Sequence, residues 1–516
     1  MARSWNLRLA LVAAAALTAA CGSTVPVGLQ QAPATADGVG APAGTALGTP
    51  GTTVAAGVAP AAPSGTGTAP TRPGAAPGAR PGTAPAPIAT RAGGSAAAPA
   101  APPATVAPKG PGWDSKSVYV GVLTQKDTAT AFSAVGYDGI NPGDTEAQAK
   151  AIVAAINQRG GVLGRTVVPV FVDVPTLASA TNPDQEGNRV CTYFAQDRRV
   201  IAVVNIVATL DVDSFRACLA KSRIVMWDAA DVPVDTAIAK GFAPYFYSGM
   251  APAWDALAPV LVDRLQAQGW FGGWDALQAK PAAGKKPKIG VLVLENALGK
   301  RIGATIKAAL AKRGYTDVVQ FEYTYPGNNI QPAIAYFSGN GVTHVISSDI
   351  ELVTFQINAD NQRYTPRYGI TTYNVPFHNL QSVGPARQQV GAVGIGWAPA
   401  WDVSDQEDPG VLGPGHAACL KATAGVQQPG RLAKAFTLNL CDGLEYVTQG
   451  ANRGKGLLAD ALSSGITQVS SSFSSAVSFG NGLSPARLFV PGAARDLAWN
   501  PTCTCFRYLG ATTHRF

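Results

Sequence analysis

The chain has 516 residues and a net charge of +8, with 40 Lys and Arg against 32 Asp and Glu. Five of the surplus positive charges fall in the first 110 residues, which leaves +3 for the rest. Since no basic run interleaved with aromatic residues occurs there, the composition argues against a nucleic-acid partner. Ala, Pro, Gly and Thr dominate up to about Gly110, so the foldable part starts near Trp113, and its length predicts two or three domains.

The first twenty residues have the layout of a secretion signal. Two arginines precede a short apolar run, Leu9–Leu17, and small residues then lead to Cys21. This ending resembles the bacterial lipobox, with Thr18 where leucine is usual. The resemblance implies a signal peptide over residues 1–20, lipidation of Cys21 and an extracytoplasmic protein anchored to the cell membrane. Ordinary secretion with cleavage near Ala20 is the alternative.

Residues 21–112 are predicted to form a disordered tether that begins at the lipidated cysteine. This stretch has many prolines and almost no large apolar side chains. It therefore cannot bury enough surface to offset the entropy lost on ordering.

Strands and helices alternate through the first part of the globular region. The β-branched run Val118–Leu123 is typical of a strand buried on both faces. Thr145–Gln148 has capping-box spacing for the helix that follows, and Gly160 supplies a left-handed stop. The alternation predicts a parallel α/β layer. The further predicted elements are extended segments at 166–172, 200–204 and 224–228, and helices at 184–196 and 211–221.

The same pattern restarts at Lys288–Leu294. The helix after this strand has Ile302 and Ile306 on one face and ends at Gly314. Two successive α/β layers predict two lobes with a crevice between them. The second layer continues with extended segments at 318–323 and 343–347 and with helices from about 331 and over 352–362.

Six cysteines follow Cys21, and an even number in an exported chain predicts disulfides. The favoured pairs are Cys191 with Cys218 and Cys419 with Cys441, because each brackets one supersecondary unit. The pairing of Cys503 and Cys505 stays open. A bridge across one residue is strained, and a metal pair would need further ligands.

The sequence lacks a Gly-x-Ser-x-Gly elbow, a His-Glu-x-x-His pair and a Walker A loop. No catalytic role, metal or cofactor is therefore predicted. His344 lies within a predicted strand, where a structural role is favoured over that of a base.

Ligands of open α/β sheets bind outside the carboxyl ends of the strands, where loops and helix N-termini converge. This rule nominates loops in both lobes. For the acidic positions, helix capping or turn formation is the competing interpretation. The candidate ligand-binding residues are Thr124, Gln125, Thr209, Asp228, Ala229, Asp231, Glu295, Asn296, Asp349 and Tyr373.

Val120–Leu123, followed by Asn157-Gln-Arg-Gly-Gly-Val-Leu-Gly-Arg165, resembles the opening of the branched-chain amino-acid binding protein family. Lys288–Leu294 and Thr365-Pro366 resemble its second lobe, so the likeness runs from about Ser117 to the end. It implies the α/β fold of type I periplasmic binding proteins, in which two doubly wound parallel-sheet lobes are joined by a three-crossover hinge.

On this basis one lobe is predicted over residues 113–241 plus 373–485. The other is predicted over residues 242–372 plus 486–516. Hinge positions are expected near Phe242–Pro244, near Thr371–Tyr373 and after Gly480.

The resemblance also implies a function, namely that of a monomeric solute-binding lipoprotein that feeds the permease of an ABC-type importer and does not convert its small-molecule ligand. Where family members grip a carboxylate with hydroxyl groups, this chain has Thr209 alone, followed in the next loop by Asp228 and Asp231. That departure argues against a plain α-amino-acid carboxylate and leaves room for a cationic, amide or hydroxylated ligand. The alternatives are a ligand-sensing surface lipoprotein and an enzyme in which Asp228 and a second-lobe acid form a hydrolytic pair.

Overall fold

The structure is a computed structural model that describes residues 106–134, 140–324, 329–469 and 471–516. The predicted signal peptide, the lipidation site Cys21 and most of the predicted tether lie outside these residues. The described end of that stretch leads to Trp113, which is buried beside the first sheet through a bridge to Val118. In the described ranges, no helix combines the length and apolar character needed to cross a bilayer.

Five parallel strands form the first sheet, in the order β2-β1-β3-β4-β5. Every residue of β3, β4 and β5 is buried. Helices cover such a sheet on both faces, which is why its strands are continuous apolar runs rather than alternating ones. The strands are β1 Ser117–Thr124, β2 Thr166–Asp173, β3 Ala202–Asn205, β4 Val225–Asp228 and β5 Phe246–Ser248.

The helices of this lobe begin and end close to the predicted positions, with one change of cap. The side chain of Asp144, not Thr145, accepts a hydrogen bond from the Ala147 backbone N–H at 2.9 Å and so starts the second helix. Gly160 has a φ of +102°, which confirms the predicted left-handed stop. The helices are α1 Thr128–Ala134, α2 Thr145–Gln158, α3 Thr176–Thr181, α4 Pro183–Thr192, α5 Asp213–Lys221 and α6 Thr236–Gly241.

Seven strands form the second sheet, in the order β14-β13-β12-β11-β10-β8-β9. The strands β9, β8, β10, β11 and β12 are parallel to one another, and β13 and β14 pair antiparallel at one edge of the sheet. A separate two-stranded ribbon, β6 Trp274–Asp275 and β7 Lys280–Pro281, precedes it. The strands are β8 Ile289–Leu294, β9 Val318–Tyr323, β10 His344–Ser347, β11 Arg367–Thr371, β12 Val393–Gly396, β13 Ala493–Asn500 and β14 Cys505–Arg515.

Two groups of helices complete the fold. The first belongs to the second sheet: α7 Trp254–Ala267, α8 Ala297–Lys312, α9 Ile330–Gly339, α10 Leu352–Asn361 and α11 Pro399–Asp402. The second group returns to the first sheet: α12 Pro414–Ala422, α13 Arg431–Gly454 and α14 Ala459–Val469. The long helix α13 lies so close to the first sheet that a Cβ at Gly443 would come within 2.6 Å of Val204.

The chain therefore passes between the two sheets three times in its described part: after β5, after α11, and before β13. Sheet membership differs from the predicted lobe boundaries at two points. β5 belongs to the first sheet although 242–372 was assigned to the other lobe, and β12 belongs to the second sheet although 373–485 was assigned to the first. Short apolar strands such as these fit either sheet, so the pairing partner decides, not the local pattern.

The first two crossovers accordingly lie at about 249–253 and 403–413, not at Phe242–Pro244 and Thr371–Tyr373.

Three disulfides join the described cysteines. Cys191 pairs with Cys218 and Cys419 with Cys441, as predicted. Cys503 pairs with Cys505, which resolves the pairing that the sequence left open. The first bridge ties α4 to α5, the second ties α12 to α13, and the third lies in the turn between β13 and β14.

Candidate functional site

Two neighbouring strands of the first sheet end in a hydrogen-bonded polar pair. Asn205 closes β3 and Asp228 closes β4, and the parallel register places them side by side. The Asn205 side-chain amide donates to Asp228 Oδ1 at 3.1 Å, and the Ala230 backbone N–H donates to the same oxygen at 3.3 Å. Asp228 is 1% exposed. The carboxyl end of this sheet thus presents a buried acid, as the strand-end rule predicted.

A buried ion pair lies beside this acid. Asp211 contacts the Arg216 guanidinium, and each side chain is 3% exposed. Arg216 also donates to the Asp213 carboxylate at 2.7 Å. Burial raises the pKa of Asp228 well above its usual value, and the negative charge of Asp211 raises it further. Asp211 is therefore a partner of Arg216 rather than a helix cap, since α5 begins only at Asp213.

Asp231, three residues beyond β4, has no hydrogen-bond partner among the described residues on either carboxylate oxygen, although it is only 7% exposed. Burial raises its pKa well above the usual value, and the charges of Asp402 and Asp349 raise it further. Asp402 and Asp349 belong to the second lobe. The carboxyl groups of the two lobes therefore lie close enough to act on each other.

The second lobe contributes two acids from the loop after β10. Asp349 accepts from the Ser348 hydroxyl and from the Glu351 backbone N–H, both at 3.0 Å. Glu351 is buried, and no described residue donates a hydrogen bond to its Oε2. Burial raises the pKa of Glu351 to about 7.

Asp402, the last residue of α11, is the third acid of the second lobe and is fully buried. Its Oδ2 accepts from the hydroxyls of Tyr508 at 2.6 Å and Thr372 at 3.1 Å and from the Ala398 backbone N–H at 3.0 Å. Its Oδ1 has no hydrogen-bond partner in the part of the chain that the structure describes. Burial raises the pKa of Asp402 to about 7. We refer to Asp211, Asp228, Asp231, Asp349, Glu351 and Asp402 as the interlobe acidic cluster.

The turn Thr372–Asn374 after β11 ties this cluster together. Thr372 donates to Asp402, and the Asn374 side chain donates to the Asp349 carbonyl at 2.8 Å. Between them, Tyr373 donates its hydroxyl to the Pro252 carbonyl, on the first crossover, at 2.6 Å. Burial raises the pKa of Tyr373 far above its usual value, and the charge of Asp231 raises it further.

Of the predicted ligand-binding residues, the structure gathers Asp228, Asp231, Asp349 and Tyr373 in this cluster, with Ala229 between the first two. The other first-lobe candidates have local partners. Thr124 donates to Asp173 at 3.3 Å, Thr209 donates to the Ser179 hydroxyl at 2.7 Å, and Gln125 accepts at its carbonyl from Thr128.

The remaining second-lobe candidates are exposed. Asn296 caps α8 by accepting from the Gly299 backbone N–H at 2.7 Å, and Glu295 precedes it at the surface. The Asn296 side-chain oxygen thus caps α8, which is the competing interpretation for this candidate.

Asp402 was not among the residues predicted from the sequence. It follows β12, a strand that the sequence pattern did not predict, so the strand-end rule had no strand end to nominate there.

A surface cavity of about 230 Å³ lies elsewhere, lined by Trp113, Ile201, Arg223 and Leu458 among others. Ile201 and Ile224, which also lines it, precede β3 and β4, so this cavity is at the amino ends of the strands. The buried, unpaired acids lie at the opposite ends, and we place the candidate site there.

The raised pKa values predict an unusual pH dependence of stability. Asp402 and Glu351 hold a proton up to about pH 7 when folded, against ordinary values of 3.8 and 4.5. The folded state therefore binds more protons between about pH 4 and 7, and the contribution of these groups to stability falls as pH rises through that window. In urea unfolding, the variant Glu351→Gln should become more stable relative to wild type as pH rises from 4.5 to 7. A stability difference that does not change with pH would contradict this.

No family model matches the sequence, and no curated protein matches it significantly. Solved structures do match in fold. A solute-binding protein of an ABC transporter from R. palustris, in complex with 4-hydroxybenzoate, has a TM-score of 0.57 at 12% identity, covering 78% of this chain and 97% of its own. A branched-chain amino-acid ABC transporter protein from Thermus thermophilus with bound valine has a TM-score of 0.54 at 9% identity, covering 78% and 96%.

A fatty-acid ABC transporter substrate-binding protein from Thermomonospora curvata also matches, with a TM-score of 0.53 at 13% identity, covering 79% of this chain and 93% of its own. The ligands named for these three proteins differ in chemistry, so the shared architecture does not determine what is bound. At identities of 9% to 13%, the likeness to these three structures establishes the fold alone. With its two mainly parallel sheets, the chain has the fold of type I periplasmic binding proteins.

Proposed function

We propose that this chain is an extracytoplasmic solute-binding protein of an ABC-type importer that holds a small polar solute between its lobes without converting it. The observation that carries the proposal is the interlobe acidic cluster, in which Asp231 of the first lobe lies within the electrostatic reach of Asp349 and Asp402 of the second. Groups from two lobes that meet in one buried polar site suit capture by closure around a solute. Lipid anchoring through Cys21 and delivery to a permease belong to the same proposal.

The test is a thermal-shift screen of the full chain against small metabolites. A solute that binds only the folded state raises the melting temperature by mass action. The solute that stabilises the protein should be recovered unchanged by mass spectrometry after prolonged incubation. Chemical conversion of the solute, or the absence of stabilisation by any solute of the screen, would refute the proposal.

An ion pair between the lobes makes a second prediction. Arg301 on α8 donates to both carboxylate oxygens of Asp235, which precedes α6, at 2.5 and 3.2 Å. Because the pair joins the lobes, Arg301→Gln should weaken solute binding, by about two- to fivefold for a partly exposed pair. The measurement is the dissociation constant by calorimetry.

The matched control is Arg313→Gln. Arg313 pairs with Asp263 at the surface, but both residues belong to the second lobe. Its loss should leave the dissociation constant unchanged, and equal effects of the two substitutions would show that the Arg301 pair has no special role in closure.

A further inference from the structure

The interlobe acidic cluster has more buried acids than cations to balance them. Arg216 is the guanidinium in contact with Asp211, and its charge also reaches Asp228. Arg431 lowers the pKa of Asp402 through its charge, but this arginine is itself paired with Asp405 and Asp408. Among the described residues, Asp231 has neither a hydrogen-bond donor nor an ion-pair partner, although it is 7% exposed. The cluster therefore has fewer cations than acids, and Asp231 has none.

Among the described residues, five carboxylate oxygens of the cluster have no hydrogen-bond donor. They are both oxygens of Asp231, Oδ1 of Asp211, Oε2 of Glu351 and Oδ1 of Asp402. These oxygens come from four separate chain segments of two lobes. The buried hydroxyl of Ser347, the last residue of β10, also has no partner in the described part of the chain. A buried polar atom without a partner costs free energy, so a persistent group of them indicates a place for a donor that comes from outside the chain.

The sequence argued against a plain α-amino-acid carboxylate and left room for a cationic, an amide or a hydroxylated solute, and the buried acids bear on each of these. A solute with a carboxylate would add negative charge to buried acids, which costs more than its hydrogen bonds return. A neutral amide or hydroxyl brings no charge that could offset the cost of ionising Asp231, Asp349 and Asp402 together, whose like charges raise the pKa of Asp231. An ammonium or guanidinium supplies both several donors and the missing charge.

We propose that the solute is an organic cation that carries an ammonium or guanidinium group and no carboxylate, and that Asp231 is its principal counter-ion. Asp402 and Glu351 complete the charge contacts when the lobes close. This assignment rests on the proposed function as a solute-binding protein. The aromatic ring of Tyr373 is stacked on Trp254 with centroids 5.5 Å apart and is within electrostatic reach of Asp231, so it suits the apolar part of such a solute.

Matched pairs of compounds test the assignment by calorimetry on the full chain. Agmatine and arginine differ by one carboxylate, as do putrescine and ornithine. We expect at least one of the two amines to bind, and to bind about tenfold or more tightly than its amino-acid counterpart, because a charged group in a buried site is costly to accommodate without a partner. Valine and 4-hydroxybenzoate, which have no net positive charge, are the control solutes.

The variant Asp231→Asn separates a binding role from a structural one. It should weaken binding of the amine by about tenfold or more, because a charge-assisted hydrogen bond is lost. It should also raise the melting temperature of the solute-free protein, since an unpaired buried carboxyl is removed. A residue with a merely structural role would not give this opposed pair of changes.

The control variant is Asp442→Asn. Asp442 is as buried as Asp231 but accepts from Ser475 at 2.5 Å and from the Ala476 backbone N–H at 2.6 Å, outside the cluster. Its substitution should lower the melting temperature and leave the affinity for the amine unchanged. Opposite signs for the two substitutions would support the assignment.

The possible failures are distinguishable. If neither amine binds at millimolar concentration while valine or 4-hydroxybenzoate does, the cation assignment is overturned and the protein remains a solute-binding protein. If an amine binds equally well to wild type and Asp231→Asn, the role of Asp231 is overturned. If the bound amine is chemically converted, the proposed function itself fails.

Discussion

Replacing Arg216 by methionine should destabilise the protein by about 3–5 kcal/mol, the usual cost of leaving a buried carboxylate without its partner. Arg216 is 4% exposed, contacts Asp211 and donates to Asp213. Its guanidinium also lies 5.2 Å from the centroid of the Phe246 ring. Methionine keeps much of the apolar contact but removes the charge, so the loss of stability would be mainly electrostatic.

Urea unfolding at neutral pH measures the effect, and a second substitution tests its cause. The double variant Arg216→Met/Asp211→Asn should recover a large part of the lost stability, because the orphaned carboxylate is gone. Arg189→Met is the control. The Arg189 side chain, which pairs with Glu186, is 46% exposed, so this ion pair should contribute at most about 1 kcal/mol to stability. A loss at Arg216 no larger than at Arg189 would show that Asp211 is neutral in the folded protein at this pH.

Removing the disulfide between Cys191 and Cys218 should cost about 3.5 kcal/mol, through the entropy that the unfolded chain regains. The two residues are 27 apart in sequence, and a closed loop of that length restricts the unfolded chain by about this amount. Cys191 is fully buried, so alanine at both positions avoids introducing polar groups into the core.

The measurement is again urea unfolding, under non-reducing conditions. The double alanine variant at Cys503 and Cys505 is the natural comparison, since that bridge spans a separation of only 2 residues. It should lose far less stability, because a short loop restricts the unfolded chain little. Equal losses at the two sites would contradict loop entropy as the source.

Most elements over residues 118–228 and 288–362 were readable from the sequence because each carries its own periodicity, whereas β5 and β11 to β14 were not predicted as strands. Apolar runs such as Ile289–Leu294 form strands wherever two faces are covered, and Gly160 ends a helix through its own backbone freedom. The strand-end rule nominated Asp228, Asp231 and Asp349 because the carboxyl ends of parallel strands meet at one edge of the sheet, and their role in binding stays a prediction.

What the sequence could not decide depends on contacts between distant segments. Val393–Gly396 is a short apolar run that either sheet could accept, and its pairing with β11 moved a crossover and brought Asp402 into the site. Likewise, nothing local distinguishes Asn296, whose side chain caps a helix, from Asp231, whose carboxylate has no partner. Local patterns determine secondary structure through short-range sterics and burial, whereas the charge balance of the site is set only when two lobes bring their acids into one buried volume.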